Sequence, residues 1–254
     1  MIALTEVVKS STLPLAPAKA ADLTRFSVGQ RVEHFTSMVL FTVLVITGMP
    51  QKWPASAISA GVVHALGGIA ASRIVHRTCG VLFSIALVSH LAVAIFQVFT
   101  RRVKLFSIVP DRKDFTDAVI TLRYYLGLTK EQAKFDRFDF RQKFEYWGML
   151  MGSLLMLVSG FVLFFPTWVS WLLPGQLIPA AKMLHSSEGL LATLVIIVWH
   201  LYNAHFNPDV FPFDPSIFTG KISRERMEAE HPLELRRIER DTGANQDPTG
   251  PRVS

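Results

Sequence analysis

Cysteine and charge are scarce in this 254-residue sequence. The single cysteine, Cys79, excludes an internal disulfide, a CxxC redox pair, a zinc site made of thiolates and the CxxCH attachment of c-type haem. Only 18% of the residues are charged, half are hydrophobic, and the mean hydropathy is +0.33. Few water-soluble proteins combine so few charges with 19 Phe and 5 Trp, so the composition favours an integral membrane protein.

Four stretches are apolar over the roughly 20 residues that a helix needs to cross a ~30 Å hydrocarbon core. We predict membrane spans at about residues 34–52, 78–100, 146–165 and 186–205. Pro166 and the pair Pro174-Gly175 end the third span. The uncharged window Trp53 to Ser72 is more weakly apolar and favours a short helix or a re-entrant loop.

The predicted fold is all-α, an integral membrane four-helix bundle over residues 31–206. An N-terminal segment (1–30) precedes it and a polar, partly disordered tail (207–254) follows it. The loop stretch 114–128 carries an apolar stripe at helical spacing, which suits a helix lying flat on the membrane. In the tail we expect a short helix around residues 223–230 and disorder from Gly243.

Lysine and arginine predict the orientation of the bundle. The segment before span one, the segment between spans two and three and the tail together hold 22 of these cations, and the other two loops hold 4. The positive-inside rule then places both termini and the 101–145 segment in the cytoplasm. No apolar signal-peptide core precedes span one, so we expect span one to direct insertion. The cations flank apolar spans and form no aromatic-laced stripe, which argues against nucleic-acid binding.

Six of the eight histidines lie in or at the ends of the predicted spans: His34, His76, His90, His185, His200 and His205. Polar side chains at membrane depth are costly and are functional candidates by default. On helical geometry His76 and His185 share a depth near the outer face, and His90 and His200 share one nearer the cytoplasm. Two imidazoles from facing helices are the ligand set of a bis-histidine haem iron.

Glycines near the histidines are compatible with a haem site. Gly80 and Gly189 each follow an outer histidine by one helical turn, and Gly48 and Gly160 lie on spans one and three at a similar level. Glycine permits the close approach of a flat macrocycle, although ordinary helix packing explains these residues as well.

A zinc or di-iron site is the competing use of paired histidines. Its carboxylate pattern is absent, because Glu33, Glu145 and Glu188 form no ExxH pairs.

Four motifs carry a family resemblance: RVEHFTSMVLFTVLVITGMP, SRIVHRTCG, RQKFEYWGMLMGSLLMLVSG and HSSEGLLATLVIIVWHLYNAHF. With them the sequence resembles the four-helix, di-haem cytochrome b subunits of bacterial respiratory enzymes, the group of formate dehydrogenase gamma, nickel–iron hydrogenase b-type and prokaryotic cytochrome b561-like proteins. The resemblance implies one haem b on His76 and His185, and a second on His34 and His200. His90, the depth-matched partner of His200, stays an alternative to His34. The spacing of 15 residues within span four is one longer than is usual in the family, which suggests a local bulge.

The resemblance also suggests secondary sites. His205 and Asn203 lie where the family has its quinone pocket, and a third haem between His34 and His205 is an alternative. Arg73, Arg77 and Lys182, near the outer histidines, are candidate partners of haem propionates.

The predicted function is therefore that of a multi-pass di-haem subunit in the bacterial inner membrane. It would carry electrons between quinone and a periplasmic partner, either a multihaem cytochrome c or an iron–sulfur or dehydrogenase subunit, as part of a quinone-linked oxidoreductase. The tail resembles the branch that has multihaem partners. Two alternatives stay open: a haem-free four-helix transporter or scaffold, and a haem b reductase that acts alone.

Overall fold

The structure, a computed structural model, describes residues 22–100, 107–208 and 210–246. Within these ranges four helices are long and apolar enough to cross a membrane: α1 (Val28–Lys52), α3 (Ile69–Phe99), α5 (Phe140–Phe164) and the continuous helix Leu177–Phe206 that begins with α7. The prediction of an all-α membrane bundle with four spans is confirmed. The cations Lys9, Lys19, Arg101 and Arg102, used to predict orientation, lie outside the described residues.

Each long helix begins six to nine residues before the limit predicted from hydropathy, because backbone hydrogen bonding continues past the apolar stretch. α1 starts at a capping box in which the Ser27 hydroxyl accepts from the Gln30 amide and the Gln30 side chain accepts from the Ser27 amide. Asp139 and Gln142 form the same box before α5. A prediction from hydropathy ends a span at charged residues, whereas a capped helix continues through them.

Short helices connect the spans. The window between spans one and two contains α2 (Ala57–Ala65), as expected, and its last residues belong to α3. Gly67 and Gly68 make the turn between α2 and α3 with φ of 84° and 102°, values that side chains other than glycine rarely adopt. α4 (Arg112–Tyr125) forms the predicted loop helix. The apolar side chains Phe115 and Leu122 are exposed on it, and so is that of Leu126, which follows its last residue. α6 (Pro166–Leu172) begins at the proline that was expected to end span three.

The four long helices form a closed ring in the order α1, α3, α5, α7. The closest pairs are α1 with α3 and α5 with α7. Apolar side chains such as Phe35, Val88, Val158 and Ile197 point outward and are more than half exposed. Several of the buried side chains in the long helices are small and polar, among them Thr47, Ser72 and Ser159. Such a distribution suits helices whose outer surface contacts lipid and whose interior holds polar groups.

The last span contains two π-helical segments, Val195–His200 and Tyr202–Phe206, which follow α7 (Leu177–Leu194) directly. A π turn accommodates an extra residue within a helix and often marks a functional position. The bulge suggested by the spacing of His185 and His200 is therefore present, in the segment that ends at His200.

A small cap lies at the Val28 end of the bundle. It consists of residues 22–26, 135–139 and 216–246. Its elements are β1 (Leu23–Thr24), α8 (Ser216–Thr219), β2 (Lys221–Ile222), α9 (Arg224–Glu230) and α10 (Pro232–Gln246). β1 pairs antiparallel with β2, with Leu23 opposite Ile222. Ile222, Met227 and Leu235 form its buried core, against which Leu23 and Ile238 pack.

The tail is more ordered than the sequence suggested. α9 matches the helix expected around 223–230, whereas α10 and the ribbon of β1 and β2 were not predicted. The sequence predicts disorder from Gly243, and in the structure α10 continues to Gln246. The rest of that prediction lies outside the described residues.

Buried charges hold the cap together. The Arg25 guanidinium donates to the Glu234 carboxylate at 2.5 Å, and Arg137 donates to its other oxygen at 2.7 Å. His231 donates from Nδ1 to the Asp136 carbonyl at 2.7 Å, and its Nε2 accepts from Arg25 at 3.1 Å. Burial and the nearby Arg25 charge lower the pKa of His231, so its neutral form suits this position.

Candidate functional site

His76 on α3 faces His185 on α7, with ring centroids 6.4 Å apart. Each ring has a hydroxyl partner on a neighbouring helix. The Nδ1 atom of His76 is 2.8 Å from the Thr47 hydroxyl oxygen, and the Nδ1 atom of His185 is 3.0 Å from that of Ser159.

The hydroxyl groups determine which nitrogen of each ring carries the proton. The Thr47 hydroxyl donates to the Val43 carbonyl at 2.7 Å, and the Ser159 hydroxyl donates to the Leu155 carbonyl at 2.7 Å. A hydroxyl has one proton to donate, so each oxygen must accept from Nδ1–H of its histidine. This leaves Nε2 of His76 and of His185 unprotonated and available to a metal.

Glycines make room for the two rings. A Cβ atom at Gly48 would lie 3.0 Å from Cε1 of His76, and one at Gly160 would lie 3.2 Å from Cε1 of His185. Gly80 and Gly189, also singled out from the sequence, have only ordinary contacts with side chains, at 4.0 and 3.7 Å. Of these four glycines, Gly48 and Gly160 are the ones at which a side chain would press on a histidine ring.

A second facing pair, His34 on α1 and His200 in the first π segment, has ring centroids 6.1 Å apart. Nδ1 of His200 donates to the Glu145 carboxylate. Thr47 and His34 are 13 residues apart on α1, so the two histidine pairs are separated by about 20 Å along the helix axis.

The structure does not bring His90 to His200. Nε2 of His90 is 3.1 Å from the Tyr146 hydroxyl, and Nδ1 is 3.1 Å from the Glu33 carboxylate. Equal depth is thus not sufficient for two histidines to face each other, because helix rotation decides which side chains meet.

The spacing of both facing pairs fits a hexacoordinate haem iron. Two metal–nitrogen bonds of about 2 Å, plus about 1.1 Å from each nitrogen to its ring centroid, give a centroid separation of about 6 Å. The observed 6.4 and 6.1 Å match that value. The polar atoms fit too, since Nδ1 of His76, His185 and His200 is already hydrogen-bonded and Nε2 is the nitrogen left for iron.

The remaining candidates lie around these pairs. The ring of His205 stacks on Phe213 at 5.2 Å, and its buried Nδ1 has no hydrogen-bond partner among the described residues. The Asn203 amide donates to the Trp199 carbonyl at 2.8 Å. A cavity of about 290 Å³, lined by His34, Arg31 and Phe218 among others, opens at the same end of the bundle.

The three candidate propionate partners lie on the helices that carry His76 and His185. Arg73, Arg77 and Lys182 are all exposed. The guanidinium of Arg77 lies 5.6 Å from the centroid of the Phe164 ring. The structure leaves their assignment to propionates a prediction.

Two facing histidine pairs at different depths within a membrane helical bundle are typical of membrane-embedded b-type cytochromes. The family comparison agrees. The model of the family described as prokaryotic cytochrome b561 matches residues 25–211, and the chain belongs to this family. It is a multi-pass membrane cytochrome b of electron transport, and haem b is its cofactor.

The individual proteins to which the chain is similar share a low sequence identity with it. The chain is 22% identical over 142 residues to the cytochrome b556(Fdn) subunit of the nitrate-inducible formate dehydrogenase of Escherichia coli K12. The same subunits of Escherichia coli O157:H7 and Shigella flexneri match equally. The aligned region covers 56% of this chain and 63% of the length of those relatives.

Sequence reasoning missed the groups that hold the histidines in place. Thr47, Ser159 and Tyr146 were not singled out, and Glu145 was considered only as a carboxylate of a di-iron pattern. One signal was available: a hydroxyl residue precedes a glycine at the same level of spans one and three, as Thr47-Gly48 and Ser159-Gly160.

Proposed function

We propose that the chain binds two haem b groups, one between His76 and His185 and one between His34 and His200, and passes electrons across the membrane. The observation that carries this proposal is the presence of two facing pairs with centroid separations of 6.4 and 6.1 Å at opposite depths. Each bound haem takes up and releases one electron at its iron. The protein supplies the ligands, fixes their orientation and excludes water.

The orientation follows from the cations, with the cap, both termini and the His34 level on the cytoplasmic side of a bacterial inner membrane. The His76 level then lies near the periplasmic face. Electrons would pass between a quinone at the cytoplasmic end and a redox partner at the periplasmic end. The similarity to cytochrome b556 subunits of formate dehydrogenase favours a quinone-linked complex. The partner is an iron–sulfur or dehydrogenase subunit, or a multihaem cytochrome c.

The quinone site is proposed beside the His34 level, in the cavity lined by Arg31 and Phe218. His205 is connected to this region through ring contacts, since Phe213 stacks on His205 and contacts Phe218 at 5.2 Å. Nδ1 of His205, for which the described part of the chain offers no hydrogen-bond partner, can donate to a quinone carbonyl in the tautomer that is protonated there. The apolar walls suit a quinone ring.

A reduced-minus-oxidised visible spectrum of the purified protein, with haem and protein both quantified, tests the proposal. We expect a b-type spectrum and two haems per chain. His76→Ala and His34→Ala should each remove one haem, whereas His90→Ala, the matched control, should keep both. Folded protein that binds no haem despite ample haem supply would overturn the proposal and favour a transporter or scaffold.

A further inference from the structure

The first and third spans, α1 and α5, have the same length and carry corresponding residues at corresponding positions. α1 and α5 are both 25 residues long, and every landmark of α5 lies 112 residues after its counterpart in α1. These landmarks are the capping box, a glutamate that directly precedes His34 in α1 and Tyr146 in α5, and a hydroxyl residue followed by glycine. The matching residues are Ser27 and Asp139, Gln30 and Gln142, Glu33 and Glu145, Thr47 and Ser159, Gly48 and Gly160.

The second and fourth spans match in the same way, at a shift of 109 residues. His76, Gly80 and Ser84 on α3 correspond to His185, Gly189 and Thr193 on α7. Even the local hydrogen bonds agree, since the Ser84 hydroxyl donates to the Gly80 carbonyl at 2.8 Å and the Thr193 hydroxyl donates to the Gly189 carbonyl at 2.7 Å.

Beyond these residues the shift becomes 110, which relates His90 to His200. The extra residue falls in the π segment Val195–His200, which α3 lacks. A one-residue insertion in a helix is accommodated by a π turn. The two halves therefore keep their histidines equivalent despite the difference in length.

Contacts within each half repeat. Thr47 contacts His76 and Ser159 contacts His185 in the same way. In the first half Glu33 accepts from Nδ1 of His90, and in the second half Glu145 accepts from Nδ1 of His200.

Contacts between the halves repeat as well. The ring of His34, in the first half, lies 6.1 Å from that of His200, in the second. The ring of Tyr146, in the second half, lies 6.0 Å from that of His90, in the first. Exchange of the halves maps one contact onto the other, which is the relation that a twofold axis along the bundle produces.

We infer that the chain is a duplicated helix pair with two equivalent positions at the His34 level, and that Tyr146 is the residue that restricts haem to one of them. The occupied position has Glu145, His200 and His34, and the other has Glu33, His90 and Tyr146. They differ at a single ligand, histidine in one and tyrosine in the other. This inference rests on the proposed assignment of a haem to His34 and His200.

The distances explain why the second position excludes iron. Two bonds of about 2 Å on opposite sides of a metal require about 4 Å between the ligand atoms. The Tyr146 oxygen lies only 3.1 Å from Nε2 of His90 and is hydrogen-bonded to it. The nitrogen that would bind iron is thus already used.

The test is to move the haem from one position to the other. His34→Tyr should reduce the haem content from two per chain to one. The double variant His34→Tyr/Tyr146→His should restore two, and the restored haem should then require His90 and no longer require His200. Tyr146→Phe in an otherwise unchanged chain should keep both haems, because tyrosine at this position is not a ligand of the occupied site.

A second route does not alter His34. His200→Ala should lose one haem, and His200→Ala/Tyr146→His should regain it through His90. The haem on His76 and His185 reports in every variant that the bundle has folded.

One haem per chain in both restored variants, with the His76-level haem intact, would overturn the inference. A wild-type protein without two haems would instead contradict the proposed function, so the two failures are distinguishable.

Discussion

A methyl group at Gly48 provides a sharp test of the His76 position. In Gly48→Ala the new Cβ would lie 3.0 Å from Cε1 of His76 and 3.6 Å from Nδ1. Carbon atoms in contact prefer about 3.5–4.0 Å, so the ring must retreat by roughly 0.5–1 Å. Ligands of a functional site have to be held within about 0.5 Å, and a disturbance of the groups behind a metal ligand typically weakens metal affinity about 10- to 100-fold.

The same substitution favours the helix. Alanine in a helix interior is more stable than glycine by about 1 kcal/mol, so Gly48→Ala should not unfold α1. We therefore expect the haem proposed on His76 and His185 to be retained at least about tenfold more weakly, while the haem proposed on His34 and His200 is unchanged. Haem retention during dilution, followed by the visible spectrum and by redox titration, measures both.

Gly148→Ala on α5 is the control, because a Cβ there has no neighbour within 4 Å. It should leave both haems as in wild type. If Gly48→Ala retained both haems with unchanged midpoint potentials, the close approach of Gly48 to His76 would not matter for ligation, and the reasoning would be refuted.

Three further expectations concern the hydroxyl partners and the cap. Thr47→Val keeps the shape of the side chain but removes the oxygen that accepts from His76. One midpoint potential should therefore rise, by no more than about 40 mV, which is the equivalent of a hydrogen bond of about 1 kcal/mol. Thr47→Ser should restore the potential, and a redox titration of Thr47→Val without any rise would contradict this role. Because the pKa of His231 is lowered in the folded cap, the unfolded chain binds more protons below pH ~6.5, and acidification through the folded pKa should loosen the cap. We expect the protection of the α9 and α10 amides against exchange, relative to an unfolded chain at the same pH, to be lower at pH 5 than at pH 7.5. Equal protection at the two pH values would contradict this role of His231. Met227→Ala, at a side chain with 0% exposure, should destabilise the cap by about 2–5 kcal/mol, as measured by amide exchange, without changing the haem content. Loss of haem in this variant would show that the cap supports the bundle directly.

The spans could be predicted from local properties of the sequence, and so could the candidate histidines. A membrane requires every backbone polar group to be satisfied within a helix, so an uncharged apolar stretch of sufficient length is enough to locate a span. Histidines within such stretches are costly, and their number and spacing indicated two levels. Family membership also followed from residues near these histidines, and the comparison with known families confirmed it.

Which histidines face each other was decided by tertiary structure. His90 and His34 were both candidate partners of His200, and depth favoured the wrong side chain as a neighbour. In the structure the ring of His90 contacts that of Tyr146, and His200, the last residue of the π segment Val195–His200, faces His34. Helix rotation depends on packing between helices, which residue spacing along one helix does not contain.

The groups that orient the rings, and the cap, were likewise decided by contacts between distant segments. Thr47 and Ser159 act on histidines 29 and 26 residues away on neighbouring helices. In the cap Arg25 meets Glu234 across 209 residues of sequence. The sequence by itself thus determined how many helices cross the membrane and which polar residues they carry, because those properties depend on each segment and its lipid surroundings. Only the folded chain determined which of those residues meet, because that depends on how the helices rotate and pack against one another.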